Sequence, residues 1–248
     1  GNDLGIGLLA HYPMNGTGKD FSGNENHAQN RGALDGENRT GKEGEALRFQ
    51  NQSYLTVVDD SKLNVTDSLT ISAWIAPLGN RFPKVKEVYE KMWIVGKNRD
   101  ITSGYHLFIG EGNTLEGWAL GDKNSSNSVF KLPDDSKWAH CVFTYNQNKG
   151  GSLYYNGNKV ADSPAVGPVI CNNETEGFSI GRLTTFNLYH FQGKIDEVRI
   201  YGRALSEVEV FELYRHADDL PERGAPAVGA PEDVPGGLVN YIALLGEV

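Results

Sequence analysis

The sequence predicts an all-β fold, a two-sheet antiparallel jelly-roll sandwich with one short C-terminal helix. Three observations predict it. Short runs of alternating apolar and polar residues recur along the chain, separated by turns rich in Gly and Asn. Glycine is abundant, at 30 of 248 residues, and aromatics reach 10%; both suit turn-rich sheets better than helices. Only residues 206–214 carry a helix signature, with Ser206 as N-cap and Glu209 at the capping-box position.

Taken in order, Leu8-Leu9-Ala10-His11-Tyr12-Pro13-Met14 opens as a short apolar strand. Residues 15–28 are dense in Asn, Asp, Gly and Ser and read as a long structured loop. Glu45-Ala46-Leu47-Arg48-Phe49 is a strand, with Tyr54-Leu55-Thr56-Val57 as its expected hairpin partner. In residues 67–76, Leu69, Ile71, Ala73 and Ile75 share one face, and Thr70, Ser72 and Trp74 the other. Residues 78–92 carry mixed charges and read as an inserted excursion, after which Met92-Trp93-Ile94-Val95 returns as a strand.

Tyr105-His106-Leu107-Phe108-Ile109 and Gly117-Trp118-Ala119-Leu120 form a hairpin about Glu111-Gly112-Asn113. Residues 137–145 form a strong strand, and residues 152–161 a hairpin turning at Asn156-Gly157. Residues 177–182 form another strand. In the last one, residues 193–201, Ile195, Glu197, Arg199 and Tyr201 alternate with Asp196, Val198 and Ile200. Unbroken alternation puts Asp196 on the apolar face, where a carboxylate needs a base or a metal. The domain is expected to span residues 1–217. Residues 218–248 differ: Pro221, Pro226, Pro231 and Pro235 read as a linker, followed by the apolar Leu238-Val239-Asn240-Tyr241-Ile242-Ala243-Leu244-Leu245. That tail either packs on the domain's own surface or docks to a neighbouring domain or another copy of the chain.

A formal charge of −9, from 23 basic and 32 acidic residues, argues against a nucleic-acid backbone or an anionic membrane as main partner. No apolar run approaches the roughly 20 residues that span a bilayer. Cys141 and Cys171 are either two buried thiols or a disulfide, and no CxxC or Cys/His spacing suggests zinc.

Several strings together resemble the laminin-G-like jelly rolls of the concanavalin A-like lectin/glucanase superfamily. They are Asp20-x-Ser22-Gly23-Asn24-x-Asn26-His27, Leu69-Thr70-Ile71-Ser72-Ala73-Trp74, Trp138-x-His140 with Phe143-Thr144-Tyr145, and Leu153-Tyr154-Tyr155-Asn156-Gly157. Phe191-x-Gly193-Lys194-Ile195-Asp196-Glu197-Val198-Arg199-Ile200-Tyr201 with Arg203-Ala204-Leu205-Ser206 completes the pattern, which covers residues 8 to about 215. The resemblance implies a secreted, cell-surface or periplasmic module, often appended to carbohydrate-active or adhesive proteins and frequently carrying one calcium. The implied ligands are Asp20, Asn24, Asn26 and Asp196. Without a metal, the loop would be held by Asx turns, with Asp196 paired to Arg199 or Lys19.

A glucanase of this superfamily needs two carboxylates about 5 Å apart, which its members carry as Glu-x-Asp-x-x-Glu. That string is absent. The nearest, Glu207-Val208-Glu209-Val210-Phe211-Glu212, sits on the helix, where positions two apart diverge by about 200°; no catalytic residue is assigned. Sugar binding needs exposed aromatic faces. Trp74 and Trp138 read as core, leaving Trp93, Trp118, Tyr189 and His190 as candidates. The expectation is a non-catalytic, extracellular, calcium-stabilised module that binds a glycan or glycoprotein. A protein-interaction module with structural calcium, and a glycoside hydrolase lacking the usual motif, are its rivals.

Overall fold

The computed structural model describes residues 3–58, 61–78, 91–97, 102–133, 135–171, 177–183 and 189–216. The charged excursion, apart from its ends, and the whole tail 218–248 lie outside the described residues. The first strands are β1 (Leu8–Tyr12), β2 (Gln29–Arg31), β3 (Leu34–Glu37), β4 (Glu43–Phe49), β5 (Tyr54–Val57), β6 (Ser68–Pro77) and β7 (Met92–Lys97). They are followed by β8 (Gly104–Gly110), β9 (Thr114–Leu120), β10 (Ser125–Lys131), β11 (Ala139–Asn146), β12 (Gly150–Tyr155), β13 (Asn158–Ser163), β14 (Phe178–Ile180) and β15 (Gly193–Tyr201). The helix α1 spans Glu207–His216.

Two antiparallel sheets face each other. One has eight strands in the order β13-β12-β11-β6-β15-β4-β3, with β1 also paired to β15; the other has seven, β10-β9-β8-β7-β14-β5-β2. The core fills the space between them. Leu69, Ile71, Ala73 and Ile75 of β6 meet Leu107 and Ile109 of β8, Ala119 of β9 and Ile180 of β14 in one cluster. Each fully buried Leu or Ile contributes about 1.5–3 kcal/mol, so the alternation in β6 decides which of its faces turns to the core.

Local chemistry explains the turns. Asn156 and Gly157 adopt φ of 49° and 78°, the doubly left-handed turn that matches the twist of a hairpin. At the helix start, the Ser206 hydroxyl accepts the Glu209 N–H at 3.3 Å, while the Glu209 carboxylate accepts the Ser206 N–H at 2.8 Å. Val210 and Leu213 pack α1 onto the outer face of the eight-stranded sheet, against Val142, Tyr154, Tyr201 and Leu205. Tyr214 stacks on Trp74, with ring centroids 5.6 Å apart. Trp74 is thus buried under the helix rather than between the sheets.

Two expectations change, and one open choice is settled. β4 and β5 do not form a hairpin: β4 pairs with β3 and β15, whereas β5 pairs with β14 and β2. The chain crosses between sheets there, and the alternation within each strand carried no information about its partner. Cys141 and Cys171 form no disulfide; Cys141 is buried and the Cys171 thiol donates to the Val65 carbonyl at 3.5 Å. Finally, β15 is not an unbroken strand. Ile195 pairs with Ile75 and Asp196 with Trp74, but Arg199 pairs with Ser72. Three steps on β15 match two on β6, so one residue is extra, and Glu197 sits at φ 50°. This bulge inverts the parity of the strand. Ile195, Val198 and Ile200 all reach the core, while Asp196 shares the outer face with its partner Trp74.

Candidate functional site

The outer face of the seven-stranded sheet carries an aromatic patch. Its orientation follows from parity. Leu107, Ile109, Leu115 and Ala119 belong to the core, and a Cβ at Gly117 would lie 2.3 Å from the Phe143 ring of the opposite sheet. The alternate residues His106, Phe108, Glu116 and Trp118 therefore face outward. Trp93 of β7 joins them, because a register shift between Trp93 and Val95 lets both Ile94 and Val95 turn to the core.

The rings are closely ordered. Trp93 lies on Phe108 with centroids 4.1 Å apart and planes 3° from parallel. Tyr189 stacks on Trp93 at 5.4 Å, and Trp118 meets Phe108 edge-on at 5.0 Å. Trp93 Nε1 donates to His106 Nδ1 at 3.1 Å. His106 Nε2 then carries the proton and donates to the Ser103 carbonyl at 3.0 Å. Gly96 makes room beneath: a Cβ there would come within 2.9 Å of His106 Nδ1 and 3.0 Å of the Trp93 ring. Tyr189 is held at φ 57°, uncommon for a bulky residue, and its carbonyl accepts the Trp93 N–H at 2.9 Å.

Trp93 and Phe108 are buried, whereas Trp118 and Tyr189 are half-buried. The first two are a floor and the last two a partly open surface. Beside Trp118, Glu116 accepts the indole N–H at 3.0 Å through one carboxylate oxygen and the Thr114 hydroxyl at 2.9 Å through the other. Gly110 leaves space for that carboxylate, since a Cβ there would overlap Glu116 Oε1 at 1.9 Å. Exposed Asn127 and Val129 of β10 lie across from Trp118 and Glu116. Of the four candidates, Trp93, Trp118 and Tyr189 converge here, with half-buried His190 next in sequence. Phe108 and Glu116 were missed. Phe108 is itself apolar and only His106 marks its face as the outer one, so its outward parity was hidden.

The acidic loop does different work. Asp20 Oδ1 accepts the backbone N–H groups of His11 and Ser22, and Oδ2 those of Asn26 and the Ser22 hydroxyl, all at 2.9 Å. A carboxylate offers about four lone-pair sites, and all are filled. Asn24 and Asn26 turn their NH₂ groups to the Leu9 carbonyl, at 3.1 and 2.8 Å, so they present donors. Asp196 Oδ1 accepts the N–H of Glu197 at 2.8 Å, bracing the bulge. Asp20 and the amides of Asn24 and Asn26 thus hold the loop to β1, and Asp196 braces the bulge, so the four expected ligands serve the protein's own hydrogen bonding.

Glu197, the extra residue of the bulge, is a buried acid with two charged neighbours. Its carboxylate takes His11 Nε2 at 3.0 Å and the Arg199 guanidinium at 2.5 Å. Burial would push Glu197 up, but Arg199 and the His11 contact outweigh it and hold the carboxyl below its usual range. His11 is pushed down by burial and by Arg199. His140, bonded to the Ser72 hydroxyl at 2.8 Å, is pushed down to about 3 by burial and the nearby Arg199 and Arg39 charges. On the helix, hydrogen bonding to Arg203 and the Ser206 cap pulls Glu209 to about 2, and Glu207 pairs with Lys159 at 3.0 Å. The Glu209 carboxylate is thus committed to Arg203 and the cap.

The architecture is a two-sheet antiparallel jelly roll with an outward aromatic patch. The chain belongs to the concanavalin A-like lectin/glucanases superfamily, whose laminin G-type family model matches residues 49–211. It is 25% identical over 222 residues to Paraclostridial mosquitocidal protein 1 of Paraclostridium bifermentans, covering 79% of this chain but only 16% of that protein. The binding domain of the same protein superimposes with a TM-score of 0.65 at 23% identity, covering 86% of this chain and 52% of that one. Domain 4 of AbnA, a GH43 extracellular arabinanase from Geobacillus stearothermophilus solved with arabinotriose, also gives 0.65, at 21% identity, covering 84% of this chain and 98% of that one. The binding domain of botulinum neurotoxin DC, solved with SialylT, gives 0.62 at 14% identity, covering 88% and 53%. These likenesses establish the fold.

Proposed function

We propose that this chain is a non-catalytic carbohydrate-binding module that acts outside the cell and holds a glycan on the outer face of its seven-stranded sheet. The observation that carries the reading is the Trp93–Phe108–Trp118 cluster with Tyr189 stacked upon it. Stacked rings in the floor keep the half-open faces of Trp118 and Tyr189 in place before a ligand arrives, which lowers the ordering cost of binding. Sugar C–H surfaces lie against such faces, and a few fixed polar groups set orientation. Glu116 and Asn127 supply an acceptor and an amide for hydroxyls. The AbnA domain, of the same fold, was solved holding a trisaccharide, which supports the reading.

Non-catalysis is supported by two of the helix acids, Glu207 held by Lys159 and Glu209 by Arg203 and the cap. Calcium has no part in this reading. The test is a glycan array probed with and without chelator. Binding to neutral oligosaccharides, equal in both conditions, supports the reading. No glycan signal in either condition overturns it.

A further inference from the structure

A second concavity lies on the opposite sheet. It has a volume of about 670 Å³ and is walled by Arg48, Lys137, Lys194 and Trp138, with Glu37 the acid among its described residues; Arg39 lines it too but turns its guanidinium over the Trp74 ring, 4.5 Å from the centroid. That size is within the usual range for ligand pockets. The chain as a whole carries −9, so this local excess of cations runs against the global charge.

The placement of two of these cations is the telling feature. Arg48 and Lys194 are direct cross-strand partners on β4 and β15. Their neighbours Leu47 and Ile195, also paired, face the core, so both cations point outward into the same wall. Like charges directly opposite in a sheet repel. Lys194 also reaches Glu37 at 3.3 Å, and Lys137 stands 3.6 Å from Asp135. Even with both acids counted, the cations exceed them. A concave wall of one sign focuses potential on a ligand of the other, and a guanidinium offers a fork of donors matched to an oxyanion. Trp138 adds a half-buried indole to the same wall, which was expected to be core. A flat apolar surface among cations suits a ring that carries an acid.

We propose that this concavity is a second binding site and that it takes an acidic saccharide, a sugar ring bearing a carboxylate or sulfate. The oxyanion lies toward Arg48, Lys194 and Lys137, and the ring against Trp138. The site is independent of the aromatic patch, so Trp118→Ala leaves it intact.

Titration calorimetry of the full chain with tetragalacturonate, a heparin tetrasaccharide, a neutral tetragalactoside and inorganic sulfate tests the proposal. At least one acidic oligosaccharide should bind, weakening as salt is raised. The double variant Arg48→Gln/Lys137→Gln, at exposed positions, should weaken it at least tenfold while the melting temperature holds. Trp138→Ala should weaken the saccharide more than sulfate, and Trp118→Ala should change neither. No binding of either acid, unchanged binding in the double variant, or sulfate bound as tightly as the oligosaccharides would overturn it.

Discussion

Trp93 lies flat on Phe108, the two rings 4.1 Å apart on the solvent side of a sheet whose other side is the core. A stack in that position is a small second core. Phe108→Ala should cost about 3–5 kcal/mol, the range for removing a buried aromatic, and should loosen Trp93 and Trp118 together. Denaturant unfolding followed by tryptophan fluorescence checks both. A loss below about 1 kcal/mol would mean that the stack bears little weight.

Gly110 and Glu116 separate binding from stability. An added methyl at Gly110 would meet the end of the Glu116 side chain, which can swing away. Gly110→Ala should therefore lower stability by less than about 1 kcal/mol, the scale of a half-exposed hydrogen bond. It should weaken glycan binding severalfold, because Glu116 leaves Trp118. Calorimetry and thermal melting of the one variant read both.

The Asp20 loop makes a prediction about metal. Four donors converge on one carboxylate. Asp20→Ala should cost about 3 kcal/mol or more, since buried donors are left unpaired. EDTA should leave the melting temperature of the unaltered protein unchanged. A downward shift on chelation would restore the metal reading.

His140 fixes the sign of the acid response. Unfolded histidine titrates near 6.5, but His140 is held down to about 3. Between these values the unfolded chain binds a proton that the folded chain refuses, so stability falls as pH drops from about 6.5 toward 3. His11 adds in the same direction. Glu197, held below its usual range, contributes stability that is present above the unfolded carboxylate value and lost as pH falls through its folded value. His140→Gln should remove about 1.4 kcal/mol per pH unit of the slope between pH 6 and 4. Urea melts across that window measure it, and an unchanged slope would contradict the assignment.

What the sequence showed depended on whether a signal was local. The faces of β6, the turn at Asn156 and Gly157 and the Ser206 cap are set by neighbours in the chain, and all were legible. The bulge at Glu197 was not, because one extra residue shifts parity without changing composition. That hid Asp196's true face, the outer one that it shares with Trp74. The pairing of Phe49's strand was equally invisible, since partner choice is non-local. Trp93, Trp118 and Tyr189 could be named as unplaced aromatics. Their convergence required the shift before Val95 and the outward parity of Phe108, and only His106 marks the latter.

The most direct test is calorimetric titration of the unaltered protein and of Trp118→Ala with the strongest neutral ligand from the array. The account predicts that the variant folds, melts within a few degrees of the parent, and loses at least tenfold in affinity, about 1.4 kcal/mol. Affinity retained within twofold in a folded Trp118→Ala protein would contradict it.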